Sequence, residues 1–258
     1  MIVIDTTPRR QPDFRRGSRS SDPAEYAAPV IESNSAAAGG PVELVIFDCD
    51  GVLVDSERIA VRVQREVGAQ LGWPLTEAEV VRHFIGRSHA AGWQVVAERL
   101  GGEAAAEWER RFEQRHRELV DTELRPVDGI LDALAALDLP SCVASSGTHD
   151  KMRHTLGRTG LHQRFEGRIF SATEVEHGKP APDLFLHAAR RMGHAPAACA
   201  VVEDSGPGTQ AARAAGMRCF GYTGGPTGAD ALTGPGTVLF SDMRQLPELL
   251  RAAHRPTS

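Results

Sequence analysis

The sequence predicts an α/β fold: a parallel sheet wrapped by helices on both faces, with a block of helices inserted after the first strand. Three observations predict it. Short apolar runs alternate with helical stretches from residue 126 onward, the rhythm of strand–helix–strand units. One further apolar run, Leu44 to Phe47, stands far ahead of that rhythm. Between them, residues 56–125 carry helical patterning. A chain of 258 residues with 41% hydrophobic content is long and apolar enough to bury such a core.

Residues 1–40 read as a disordered extension. They hold Arg9, Arg10, Arg15, Arg16 and Arg19, scattered Pro, Ser and Gly, and no periodicity. Arg9-Arg10 is not followed by an apolar stretch, so no export signal is read there. The core domain is expected over 41–55 and 126–258, and a helical domain over 56–125. After the strand at 44–47, Ser56 is expected to cap a helix running to about residue 71, ended by Gly72 and Pro74. Thr76-Glu77-Ala78-Glu79 is a capping box opening a second helix. Residues 89–100 and 103–121 supply two more. Then follow a helix at 129–137, a strand at 141–144, a helix at 149–159 and a strand at 168–170. A helix at 182–192, a strand at 199–202, a helix at 209–215 and a strand at 217–222 complete the reading.

In parallel sheets of this kind the site lies beyond the carboxyl ends of the strands. Three polar clusters fall at such ends: Asp48 and Asp50 before the turn at Gly51, Ser145-Ser146-Gly147, and Glu203-Asp204. Asp48, Asp50, Glu203 and Asp204 offer hard oxygen ligands suited to Mg²⁺. Without a cation, two such carboxylates ~4 Å apart repel by about 4 kcal/mol at an effective dielectric near 20. Ser145 and the backbone amides of Ser146 and Gly147 open a helix and suit an anion. Gly178-Lys179-Pro180 places an ammonium where it can serve both a carboxylate and a phosphoryl oxygen. Two carboxylates, a hydroxyl, a lysine and a metal make phosphoryl transfer the expected chemistry, with Asp48 as nucleophile and Asp50 as acid and base.

The net charge of −5 argues against a nucleic-acid binder, and no apolar run approaches a membrane span. Cys49, Cys142, Cys199 and Cys219 lack CxxC spacing and are expected as buried reduced thiols. A cytoplasmic monomer or weak homo-oligomer is expected. Of the 29 Lys and Arg residues only Lys151 and Lys179 are lysines, so a lysine retained here is expected where arginine will not serve. Lys151, near the start of its helix, is nonetheless expected at the surface. Arg110, Arg111 and Arg115 read as a solvated helix face, Trp73, Trp93 and Trp108 as packing residues, and His83 and His89 as structural or solvent-facing.

Together these residues resemble the haloacid dehalogenase (HAD) superfamily, over about residues 42–250. Asp48-Cys49-Asp50-Gly51-Val52-Leu53-Val54-Asp55-Ser56-Glu57 is similar to its first motif, Ser145 to the second, Lys179 to the third and Glu203-Asp204 to the fourth. The resemblance implies a Rossmann-like core, a C1 helical cap, Mg²⁺ dependence and an aspartyl-phosphate intermediate. It implies Asp48 as nucleophile and ligand, the Asp50 carbonyl on the metal, Asp204 as ligand and Glu203 as support. Phe84-Ile85-Gly86-Arg87-Ser88 and Gly178-Lys179-Pro180-Ala181-Pro182-Asp183 are similar to β-phosphoglucomutases, which would bring Arg87 to the substrate. Those mutases carry a histidine where this chain reads Arg58-Ile59-Ala60-Val61. Glu57 is more like the sugar-phosphate phosphatases, where it would bind substrate. The runs 121–126 and 151–157 are similar to 6-phosphogluconate phosphatase-type enzymes. The expectation is therefore hydrolysis of a small phosphorylated sugar or sugar acid, with mutase activity as the alternative and a non-enzymatic regulator as a more remote one.

Overall fold

In the computed structural model, which describes residues 40–86 and 89–254, β1 (Leu44–Phe47) lies inside a six-stranded parallel sheet. The other strands are β2 (Ser141–Ser145), β3 (Ile169–Ser171), β4 (Cys199–Glu203), β5 (Arg218–Tyr222) and β6 (Thr237–Phe240). Their order is β3-β2-β1-β4-β5-β6. The period-two alternation of a strand sends neighbouring side chains to opposite faces, and both faces are filled. Val45, Phe47, Val143, Ala200 and Val202 join one hydrophobic cluster; Leu44, Ile46, Cys142, Ala144, Cys199 and Val201 join the other. This double burial explains why the strands read as continuous apolar runs.

Helices α1 (Ser56–Gln70), α2 (Glu77–Phe84), α3 (His89–Leu100) and α4 (Gly102–Glu123) follow β1 and hold a hydrophobic cluster of their own. Ile59, Val63 and Val67 line one side of α1 at four-residue spacing and are buried there. The Trp108 indole of α4 is tied down by donating to Gln64 Oε1 at 2.6 Å. Thr76 and Glu79 form the expected capping box of α2. The remaining helices are α5 (Ile130–Ala135), α6 (His149–Arg158), α7 (Asp183–Met192), α8 (Gly206–Ala214), α9 (Ala229–Leu232) and α10 (Leu246–His254). The fold is thus the parallel α/β sheet with a helical insertion that the sequence predicts. No helix among the described residues is long and apolar enough to cross a membrane.

Some expectations change and others hold. Ser56 is not the cap of α1; Asp55 holds that position without a side-chain bond, and the Ser56 hydroxyl goes elsewhere. Within the stretch 126–258 expected as core, β6 and α10 are elements that the sequence pattern did not mark. Trp93 is 42% exposed and packs less than expected, while Trp108 is buried and Trp73 lies against it at 5.7 Å. His83 rests on Trp73 at 6.0 Å between ring centres. Arg110, Arg111 and Arg115 form surface pairs with Glu107, Glu66 and Glu118. All four cysteines are buried free thiols. The expectations for residues 1–39, Arg87 and Ser88 fall outside the described residues, as does the side chain of His89.

Candidate active site

Because β1 continues to β2 on one side and neighbours β4 on the other, the order of the sheet reverses between β1 and β4, where a crevice opens. Phe47 pairs with Val202, and the Asp48 amide donates to the Val202 carbonyl at 3.0 Å. Asp48 therefore emerges beside Glu203 and Asp204. One carboxylate oxygen from each of these three buried acids lies within 4.8 Å of the others.

Lys179 reaches into the same crevice. Its Nζ donates to Asp48 Oδ1 at 2.5 Å, to Glu203 Oε1 at 2.7 Å and to the Ala144 carbonyl at 3.2 Å. The side chain is 4% exposed, and its carboxylate partners raise its pKa despite the burial that opposes this. Glu203 is held at both ends: Oε2 accepts from the Asp204 amide, the Ser205 amide and the Ser205 hydroxyl. Asp204 Oδ2 is different, being buried without a hydrogen-bond partner. So is Glu57 Oε2, on the first turn of α1.

The carboxylates of Asp48, Glu203 and Asp204 thus share the crevice with the Lys179 ammonium, and Glu57 lies beside Asp204 across Gly51. Burial pushes Asp48 up to about 7, with Lys179 pulling the other way. Burial and the Asp50 charge push Glu57 up to about 8, and burial with Glu57 and Glu203 lifts Asp204 well above the ordinary range. The site lacks positive charge. An orphaned Asp204 oxygen and the all-oxygen donor set of Asp48, Glu203 and Asp204 fit a hard divalent cation such as Mg²⁺.

The second acid of the turn, Asp50, has different neighbours. Its Oδ1 accepts from Ser56 Oγ at 2.6 Å and its Oδ2 from Lys151 Nζ at 2.7 Å. Burial would raise its pKa, but the Lys151 charge and these two bonds outweigh it and hold Asp50 below the usual range. The expectation that Lys151 is a surface residue is therefore corrected: its side chain is half-exposed, but its ammonium sits on a site carboxylate. The side chain of Asp50 does not join the Asp48–Glu203–Asp204 group. The rarity of lysine was the sequence signal that marked Lys151.

Ser145 ends β2 beside β1, and Ser146 and Gly147 follow it; the helix they were expected to open begins later, at His149 behind the Thr148 cap. Ser145 is buried, its hydroxyl accepting from the Gly147 amide at 3.1 Å, and Gly147 is fixed by Ser171 Oγ donating to its carbonyl at 2.7 Å. The turn after Asp50 is compressed. Gly51, at φ +76°, leaves no room for a side chain, since a Cβ there would meet Asp204 Oδ2 at 1.9 Å. The helical insertion touches the site through Gly86, at φ +68°, where a Cβ would lie 2.7 Å from Ser205 Cβ.

Residues 42–216 match the model of the haloacid dehalogenase-like hydrolases. The chain belongs to this family. It is 34% identical over 212 residues to a 6-phosphogluconate phosphatase of Escherichia coli, an alignment covering 82% of this chain and 96% of that one. Among solved structures it resembles a conserved haloacid dehalogenase-like protein from Agrobacterium tumefaciens, with a TM-score of 0.74 and 34% identity over 83% of this chain and all of that one. It also resembles a HAD family hydrolase from Deinococcus radiodurans, solved with bound phosphate and sodium, with a TM-score of 0.69 and 29% identity over 83% and 97% of the two chains. This HAD-like hydrolase therefore shares both sequence and fold with its relatives along most of their length.

Proposed function

We propose that this HAD-like hydrolase is a Mg²⁺-dependent phosphatase that cleaves a small phosphorylated metabolite, a sugar or sugar-acid phosphate, through an aspartyl phosphate on Asp48. The observation that carries the reading is the group of Asp48, Glu203 and the orphaned Asp204 oxygen, bridged by Lys179 from Asp48 to Glu203. A relative named 6-phosphogluconate phosphatase supports the substrate class. Mg²⁺ held by Asp48 and Asp204 would supply positive charge against the phosphoryl oxygens.

In the first step an Asp48 carboxylate oxygen attacks phosphorus and the bond to the leaving oxygen breaks. Asp50 gives that oxygen its proton, then takes one from the water that attacks the aspartyl phosphate, releasing inorganic phosphate and restoring Asp48. Lys151 and Ser56 hold Asp50 ionised at rest, so the proton it gives is one taken up from solvent as the phosphate dianion binds beside it. Ser145 with the Ser146 amide, the Gly147 amide once it leaves the Ser145 hydroxyl, and Lys179 by sharing its donors bind the phosphate. Glu57, whose buried Oε2 has no partner beside the metal acids, is assigned to the substrate side of the site; Arg87, the other residue assigned to substrate, lies outside the described residues. Mutase chemistry fits less well: in the stretch where a mutase-like histidine would fall, Arg58 is turned to Asp55 at 3.3 Å and to the Gly224 carbonyl at 3.0 Å.

The test is phosphate release from an aryl phosphate and a panel of phosphosugars, with Mg²⁺ and with EDTA. Asp48→Asn should abolish turnover. Retained turnover in that variant would overturn the mechanism, and an isomerised product without free phosphate would turn the reading to a mutase.

A further inference from the structure

Both lysines of this chain end on the two acids of the first turn, Lys179 on Asp48 and Lys151 on Asp50. Their surroundings differ. An ammonium has three N–H donors, and those of Lys179 go to Asp48, Glu203 and the Ala144 carbonyl, inside the protein. Lys151 gives one to Asp50 and its side chain is 44% exposed. Its position is set by α6. Lys151, His154 and Arg158 recur at i, i+3 and i+7, one side of a helix. His154 pairs with the Asp121 carboxylate at 2.7 Å and Arg158 donates to the Asp121 carbonyl, both on α4. That side of α6 therefore faces α4, and Lys151 stands at the junction of sheet and helical insertion. On the α4 side, His116 stacks on Phe112 at 5.2 Å. Burial and the Lys151 charge press His116 down to about 4, so it meets the junction as a neutral imidazole.

A cation with donors to offer and a neutral imidazole, next to the acid that protonates the leaving oxygen, describe a binding site for that leaving group. We propose that Lys151, anchored on Asp50, binds a carboxylate of the departing alcohol, so that the protein prefers phosphorylated hydroxy acids to neutral sugar phosphates of equal size. This rests on the phosphatase reading above. One ammonium matches the single charge of a carboxylate better than the double charge of a second phosphate. A compact ammonium also serves two carboxylates in different directions, which the planar fork of arginine does less well. That accounts for a lysine here in a chain that otherwise uses arginine.

The experiment compares kcat/KM for 6-phosphogluconate and sorbitol 6-phosphate, which differ only in a carboxylate against a CH₂OH group, in the wild type, Lys151→Met and Lys151→Arg. The wild type should prefer the acid. In Lys151→Met that preference should fall by about 10- to 100-fold, the size of a charged hydrogen bond, and should fall through KM. Lys151→Arg, which keeps the charge, should recover part of it. A merely structural lysine would lower both substrates equally, so an unchanged ratio in an active Lys151→Met overturns the assignment. Equal rates on both substrates in the wild type overturn it as well. So does a Lys151-dependent preference for fructose 1,6-bisphosphate over the acid. Absence of Mg²⁺-dependent phosphate release from every ester in the wild type instead overturns the phosphatase reading itself.

Discussion

Gly51→Ala tests whether the turn after Asp50 and the metal acids are one construction. Two costs act at this position. At φ +76° an alanine is in the left-handed region, which costs about 1–2 kcal/mol. Its Cβ would also lie 1.9 Å from Asp204 Oδ2, 2.6 Å from Asp204 Cγ and 2.9 Å from Glu57 Cγ. Non-bonded carbons meet at about 3.5–4.0 Å, so the Asp204 carboxylate has to retreat by about 1 Å. Because Asp204 Oδ2 has no hydrogen-bond partner to hold it, it moves, and it leaves the group it forms with Asp48 and Glu203. A misplacement of about 1 Å in such a site costs on the order of 100-fold in rate. Phosphate release measured against Mg²⁺ concentration should show kcat falling by that factor and half-saturation moving to higher Mg²⁺. A urea titration should show a cooperative transition weakened by at least the backbone cost. Wild-type turnover with a wild-type Mg²⁺ requirement in Gly51→Ala would refute the reasoning.

Metal removal should make stability depend on pH in a direction opposite to that of an ordinary salt-bridged acid. Asp48 at about 7 and Glu57 at about 8 keep protons that the unfolded chain, with carboxylates near 4, has released, so the native state binds more protons and stability falls as pH rises from about 4 to 8. Urea midpoints in EDTA should therefore fall from pH 5 to pH 8, and Mg²⁺ should flatten the slope; a rising midpoint in EDTA would contradict the shifts. Trp108→Phe removes the donor to Gln64 and leaves a buried amide oxygen without it, which should cost about 1–3 kcal/mol by urea unfolding with KM unchanged.

Strands β1 to β5 were legible because both of their faces are buried, which writes them as uninterrupted apolar runs. β6 was not. It is an edge strand, Val238 and Leu239 are 41% and 38% exposed, and it follows a Gly- and Pro-rich stretch that reads as loop. Asp48, Glu203 and Asp204 were legible for a related reason: charged groups at the ends of buried strands have few structural explanations; Lys179, in the loop between β3 and α7, was legible as a rare lysine set between Gly178 and Pro180. Ser56 was misread because a serine at a helix start satisfies the pattern of a cap, whatever its hydroxyl touches. Lys151 was misread because its helix position looks like surface, and its partner Asp50 lies 101 residues away. No local pattern reports such a contact; only the scarcity of lysine pointed to it.

That scarcity has a practical side. An amine-directed reagent meets two lysine side chains in this protein, one 4% exposed and one 44% exposed. Labelling by such a reagent, counted by mass after separating the N-terminal peptide, becomes a report on Lys151 alone. Its slowing in the presence of a candidate ligand would measure occupancy of the cleft directly, without any turnover.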